Sequence, residues 1–237
     1  MGTFALSLSN MAAVFKKQLK DTFKNKTVLI QFIMLPVLTL IMNDAIRVEG
    51  MPEHFFINLF ATMYTGMAPL TGIAAVIAEE KEKNTLRVLR MSNVKPYEYL
   101  LGIGGYIWLA CMAGASVICA AGSFKTGEAA AFLAVMAAGI LISLLVGAAI
   151  GIWSKNQMMA TSIVLPVMMI FSFLPMLSMF NEDIARVAKF TYTEQVRILL
   201  LQTASAHIGI GDIGIILGNV ILFITLFALA YKKCGLE

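Results

Sequence analysis

The sequence predicts an all-α membrane protein, a single transmembrane domain over residues 1–237 built around six transmembrane helices. Two observations carry this. Hydrophobic residues make up 59% of the chain and charged residues only 14%, whereas soluble chains carry roughly 25% charged residues. With a mean hydropathy of +0.82, a water-soluble fold could not cover its own core with polar surface. The second observation is where the charges are missing. Windows free of Asp, Glu, Lys and Arg run over 27–43, 55–78, 99–124, 129–154, 156–181 and 213–231, together 138 of 237 residues; a spanning helix needs about 20 residues. A soluble globular enzyme, a disordered tail and a disulfide-stapled secreted domain are excluded.

The elements follow in chain order. In segment 1–26, Met11, Phe15, Leu19 and Phe23 recur every four residues, flanked by Lys16, Lys17, Lys20 and Lys24. That pattern reads as an N-terminal amphipathic helix lying in the headgroup plane, or as a solvated basic leader that only sets topology. No apolar stretch followed by a small-residue cleavage site occurs there, so a cleavable signal peptide is not expected. Span one, about 27–43, is the shortest and contains Pro36.

Span two, about 55–78, runs into EEKEKNTLRVLRMSNVKPYE at 79–98, with nine charged residues in twenty. Glu79 to Lys83 continue the span's helix into water. Asn84 tolerates the left-handed backbone that a helix end needs, and Thr85 can cap a new helix. Leu86 and Leu89 share one face of this short helix and Arg87 and Arg90 the other, until Pro96 closes it. By the residues alone this is either a docking element for a partner's groove or an ordinary hairpin with solvated charges.

Spans three to six are placed at about 99–121, 129–153, 157–180 and 210–231. The unbroken apolar run 129–151 lacks the alternation of a barrel strand. Pro166 and Pro175 each remove an amide donor from span five, so that helix should bend or break and act as a hinge beside the pathway. In 181–209, Ile184, Val187 and Ala188 form one apolar face and Val196, Leu199, Leu200 and Thr203 another. Two short re-entrant external helices dipping into the outer leaflet are expected there.

Orientation follows from the basic residues. With the N-terminus inside, the inner segments hold 13 Lys and Arg and the outer segments 5 (Arg47, Lys125, Arg186, Lys189 and Arg197). Both termini are therefore expected to be cytoplasmic, in a multi-pass protein of the cytoplasmic membrane. The net charge of +4 reflects this topology beside anionic lipid rather than nucleic-acid binding.

No G-x-x-x-x-G-K-[ST] occurs, so the chain cannot cradle nucleotide phosphates in the P-loop manner. No H-E-x-x-H occurs either, His54 and His207 fall on the outer side, and three scattered cysteines make no metal site. The pair Glu79-Glu80 lacks the Arg four positions on that a prenyl-protease-like site would want; Asn84 stands there. The absence of charge from all six windows weakens an ion-coupled secondary transporter. A non-transporting membrane scaffold or sensor stays open as an alternative. Gly147-x-x-x-Gly151 and Gly214-x-x-x-Gly218 allow close helix approach, most simply within the chain.

The stretch from Glu80-Lys81-Glu82-Lys83-Asn84-Thr85-Leu86 through Leu89 to Ser92-Asn93-Val94 resembles that of the permease subunits of ABC transporters of the type-2 export class. Those subunits carry an acidic-basic-acidic turn, Gly-Thr and a leucine-bearing coupling helix between spans two and three. Asn84 stands here where Gly is usual, and Asn93 where Pro is common. Leu165-Pro166, Ser172, Pro175 and Tyr192 to Arg197 are similar to the family's fifth span and external helices, so the likeness covers essentially the whole chain. The resemblance implies a permease working as a dimer with a second copy or a related permease, joined to two cytoplasmic ABC ATPase subunits that bind ATP and Mg. No cofactor is implied in this chain.

It further implies that Glu79, Glu82, Asn84, Thr85, Leu86, Arg87, Leu89 and Arg90 meet the ATPase, with Leu86 and Leu89 as anchors. The N-terminal helix, through Phe15, Lys16, Leu19, Lys20 and Phe23, would also touch it. Export of, or immunity against, antimicrobial peptides, lipids or hydrophobic drugs is the implied activity.

Overall fold

The structure is a computed structural model that describes residues 2–24, 26–46, 52, 54–92, 94–202 and 210–234. Within these the chain is helical throughout: α1 (Gly2–Lys24), α2 (Lys26–Ala45), α3 (Phe55–Glu82), α4 (Thr85–Met91), α5 (Pro96–Ala121), α6 (Thr126–Trp153), α7 (Gln157–Ser178), α8 (Glu182–Ala188), α9 (Tyr192–Gln202) and α10 (Ile210–Cys234). Five helices are long and apolar enough to cross a membrane, namely α3, α5, α6, α7 and α10. The window around Pro36 yields the shorter apolar helix Leu29–Ala45. The expected six spans thus resolve into five helices of full length and one shorter one. The side chains of Phe23, Arg87 and Arg90, together with Asn93 and 203–209 of the expected external hairpin, lie outside the described residues.

α3 is the axis. Its most apolar stretch is 83% buried, against 44% for α6, 39% for α5, 22% for α7 and 11% for α10. The sequence explains this centrality through small and hydroxylated residues. In lipid no hydrophobic force draws helices together, so association rests on close packing at small side chains. A Cβ at Gly66 would sit 2.9 Å from the Phe171 carbonyl of α7, and one at Gly72 would sit 3.1 Å from the Phe32 ring of α2. Gly147 and Gly151 of α6 do the same from the other side: a Cβ at Gly147 would lie 2.6 Å from Ile73, and one at Gly151 would lie 3.0 Å from Ile77.

The threonines that line α3 close their hydroxyls onto their own helix. Thr62 donates to the Asn58 carbonyl at 2.7 Å, Thr65 to Ala61 at 2.9 Å and Thr71 to Met67 at 2.8 Å. A buried hydroxyl left unpaired is costly, and the carbonyl four residues back is the nearest acceptor.

α7 runs unbroken through both Pro166 and Pro175, so its prolines do not break it. Pro175 has no N–H for the carbonyl of Phe171, four residues earlier. That carbonyl faces Gly66 of α3, so packing against a neighbour holds the helix where a proline would otherwise open it. The Ser178 hydroxyl donates to the Pro175 carbonyl at 2.7 Å and tightens the last turn.

α8 opens under Asn181, whose side chain accepts from the amides of Asp183 and Ile184 at 2.9 and 3.2 Å. α9 is not a surface helix: Tyr192, Thr193, Glu194, Gln195 and Val196 are all buried against α3, α6, α7 and α10. Tyr192 inserts its ring beside Phe171 and Phe223. Its hydroxyl lies 2.8 Å from Ser143 Oγ, which donates to the Thr65 carbonyl at 2.5 Å. One polar chain therefore joins α9, α6 and α3 inside an apolar bundle.

The two G-x-x-x-G motifs part company. Gly147 and Gly151 bring α6 onto α3, but nothing lies within 4 Å of a Cβ built at Gly214 or Gly218. Gly147→Ala should therefore lower stability by about 1–3 kcal/mol through overpacking. Gly218→Ala should stay within about 0.5 kcal/mol of the parent, as surface changes do. Unfolding of the detergent-solubilised chain measures both, and equal effects would contradict the packing described.

Candidate functional site

One end of the bundle gathers the end of α3, all of α4, the starts of α5 and α7, and the ends of α6 and α10. It holds most of the lysines. α3 stops as Asn84 predicts: the Lys83 amide donates to the Glu79 carbonyl at 3.0 Å, the Asn84 amide to Lys81 at 3.1 Å, and Asn84 adopts φ 55°. That left-handed turn lets Thr85 open α4 at once. The Ser92 and Val94 amides close α4 on the Leu89 carbonyl, both at 3.1 Å. Pro96 does more than end this helix, because it is the first residue of α5, where a missing amide costs nothing.

Three consecutive residues at the end of α3 reach three different helices. Successive side chains on an α-helix point about 100° apart at 3.6 residues per turn. Glu80 accepts from Lys17 Nζ of α1 at 2.6 Å. Lys81 Nζ donates to the carbonyl of Ile152, in the last turn of α6, at 2.6 Å. Glu82 accepts from the Gln157 amide, the first of α7, at 2.9 Å, a placement that suits the positive end of that helix. Glu79 pairs within α3, with Lys83 at 2.5 Å; this hydrogen bond raises the Lys83 ammonium above the usual lysine range.

α1 lies against α5. Val14 packs where Gly102 leaves room, Phe15 meets Tyr106 edge-on with ring centroids 5.5 Å apart, and Asn10 Nδ2 donates to Glu98 at 2.8 Å. The buried stripe is thus Val14, Gln18 and Thr22, with Phe15 half-buried and Leu19 39% exposed. The apolar residues Met11, Phe15 and Leu19 run beside this buried line, and Asn10 and Lys17 turn in toward partners on α5 and α3. Lys16 and Lys20 are exposed.

The remaining site residues divide in two. Leu86 is only 5% exposed and Leu89 is half-buried, both within this chain's own core. They anchor α4 to the bundle, and among the described side chains of α4 Met91 points outward, 79% exposed. Thr85 and Glu79 are half-buried, while Glu82 and Asn84 are exposed. Pro166, midway along α7, is exposed, and Pro175, in its last turn, is buried; both lie away from this end.

Two groups escaped the sequence reading. Lys17 with Glu80 and Asn10 with Glu98 join residues 63 and 88 positions apart, which no local pattern encodes. At the opposite end, Glu194 is 3% exposed and takes both Arg197 Nε, at 3.0 Å, and a terminal guanidinium nitrogen, at 2.5 Å; Ser178 adds a third bond at 2.9 Å. Buried charges persist when paired and hydrogen-bonded in this way. The i, i+3 spacing of Glu194 and Arg197 beside buried Tyr192 was the available signal.

An all-helical chain with several membrane-crossing apolar helices, wrapped on a buried third helix, is a multi-pass membrane protein. The chain belongs to the ABC-2 family transporter proteins, whose family model matches residues 3–230. It is accordingly a transmembrane permease subunit of an ABC transporter and not its ATPase, and it partners ABC ATPase subunits. Among curated proteins none matches the chain.

Lys17→Ala would leave the Glu80 carboxylate buried and unpaired, at a cost of about 1–3 kcal/mol. Faster amide exchange in α1 and the last turn of α3 is the expected result, and Glu80→Gln should relieve it in the double variant. Unchanged exchange in Lys17→Ala would show that the contact does not hold α1.

Proposed function

We propose that the chain is the permease of an ATP-driven exporter, working as two copies or with a related permease. Two cytoplasmic ATPase subunits, which bind the ATP and Mg, dock on the end formed by α1 and α4. Both termini then lie on the cytoplasmic side. The substrate is hydrophobic or amphipathic, in the class of antimicrobial peptides, lipids or drugs, and it moves outward.

The observation that carries this reading is the triple connection at the end of α3. A push on α4 reaches α3 through one turn at Asn84, and Glu80, Lys81 and Glu82 distribute it to α1, α6 and α7. Charge-assisted bonds are short and directional, so they transmit displacement where apolar contacts slide. The 13-to-5 excess of basic residues on this side supports its cytoplasmic placement. Support for an apolar substrate comes from spans without charge and from an opposite end whose α9 folds into the bundle.

Because Leu86 is held inside the chain, Leu86→Asp would damage the permease itself. Met91→Asp, at an exposed position of α4, is the cleaner test. In the complex with its ATPase, an interface residue worth about 2 kcal/mol should weaken association roughly thirtyfold when replaced, while the chain still inserts. Transport-coupled ATPase stimulation falls in step. Unchanged stimulation in Met91→Asp would refute docking through α4, and a cysteine at position 155 labelled only from outside would refute the orientation.

A further inference from the structure

A groove of about 900 Å³ runs down one side of the bundle. α5 forms one wall from Tyr97 to Trp108, α10 the other from Ile216 to Phe227, and α6 the floor from Ala138 to Ala148. Its residues are apolar or aromatic throughout. Gly104 and Gly105 open it: nothing lies within 4 Å of a Cβ built at either. At Gly66, Gly72, Gly147 and Gly151 glycine draws helices into contact, and here it leaves the space open.

The dimensions point to an occupant. Each helix lines the groove over eleven or twelve residues, about 16 Å at 1.5 Å per residue. That is about half the roughly 30 Å hydrocarbon core. All three walls begin at the lysine-rich end, at the start of α5 and near the ends of α6 and α10. The groove is therefore one leaflet deep. Trp108 closes its inner end, held by a hydrogen bond from Nε1 to the Ala137 carbonyl at 3.3 Å. A membrane-crossing helix from a second copy would need a groove running the full thickness.

Cations stand at the mouth. Lys95 Nζ lies 5.8 Å from the Tyr97 ring and Lys233 Nζ 5.6 Å from the Trp153 ring, with Lys232 beside it. All three lysines are exposed, and among the described residues none forms an ion pair with a carboxylate. Tyr97 and Trp153 mark the depth at which aromatic rings meet headgroups.

We propose that this groove binds one anionic phospholipid of the adjoining leaflet, an acyl chain in the slot and the phosphate among Lys95, Lys232 and Lys233. A convex helix face touches bulk lipid from one side only. Here three helices surround the chain while the lysines select the headgroup.

The sequence contains two tryptophans, so Trp153→Phe leaves Trp108 as the only emitter, at the end of the slot. The full-length variant is reconstituted in phosphatidylcholine vesicles and titrated with chain-brominated phosphatidylglycerol or chain-brominated phosphatidylcholine. Half-quenching of Trp108 is expected at about a fivefold lower mole fraction of the anionic lipid, the advantage of one lysine–phosphate attraction near the surface. Lys95→Gln with Lys232→Gln and Lys233→Gln should abolish that preference yet retain quenching. Gly104→Leu with Gly105→Leu, which extends into open space, should suppress quenching by both lipids at unchanged helix content. Equal quenching by the two lipids in the Trp153→Phe chain would overturn the proposal, as would a preference that survives loss of the three lysines. No quenching by either lipid would mean that protein fills the groove, and would overturn it equally. Should the leucine variant misfold, the lysine variant decides alone.

Discussion

Close approach to α3 is the constraint on which the rest of the bundle depends. Without a hydrophobic force between helices in lipid, contact surfaces must fit, and α3 achieves the fit with Gly66, Gly72 and with Leu70, Ile73, Ala74 and Ile77, which pack where Gly147 and Gly151 of α6 leave room. The polar groups that this approach buries are then dealt with one at a time. Thr62, Thr65 and Thr71 turn back on α3, while Tyr192 and Ser143 complete a chain ending on the Thr65 carbonyl. The same closeness supports α7, whose carbonyl freed by Pro175 is packed against Gly66. A helix expected to bend or break is unbroken there, with its neighbour packed closely against the freed carbonyl.

The two ends of α3 are finished differently. At the lysine-rich end charged side chains reach across to separate helices, each through a single bond of 2.6 to 2.9 Å. At the other end the charge is folded inward, with Glu194 and Arg197 closed on each other and on Ser178. The first arrangement ties many elements loosely together, and the second fixes one helix tightly within the core. Breaking the second would expose a carboxylate to apolar surroundings, so α9 has little freedom to leave as a unit.

Much of the architecture was legible in the sequence because lipid imposes strong local rules. Charge-free windows located every long apolar helix, and Asn84 at a helix end marked the left-handed turn that it makes. The family likeness, read from 80–94 and the fifth span, agrees with the match over 3–230. What no local pattern shows are contacts that depend on partners. Lys17 and Asn10 are turned inward by Glu80 and Glu98, far away in the chain. Gly214 and Gly218 look like Gly147 and Gly151 by spacing, yet only the second pair has a helix against it. Leu86 and Leu89, expected to meet the ATPase, also pack on this chain's own core.

That last placement separates two tasks within seven residues of α4. Leu86 and Leu89 hold the helix at a set position, so the permease folds with its end already shaped. Met91, which is exposed, can then change without disturbing that fold. Recognition and folding are written in different letters of the same helix. Duplicated copies of such a chain could diverge toward different partners through outward substitutions alone, each keeping the same bundle beneath.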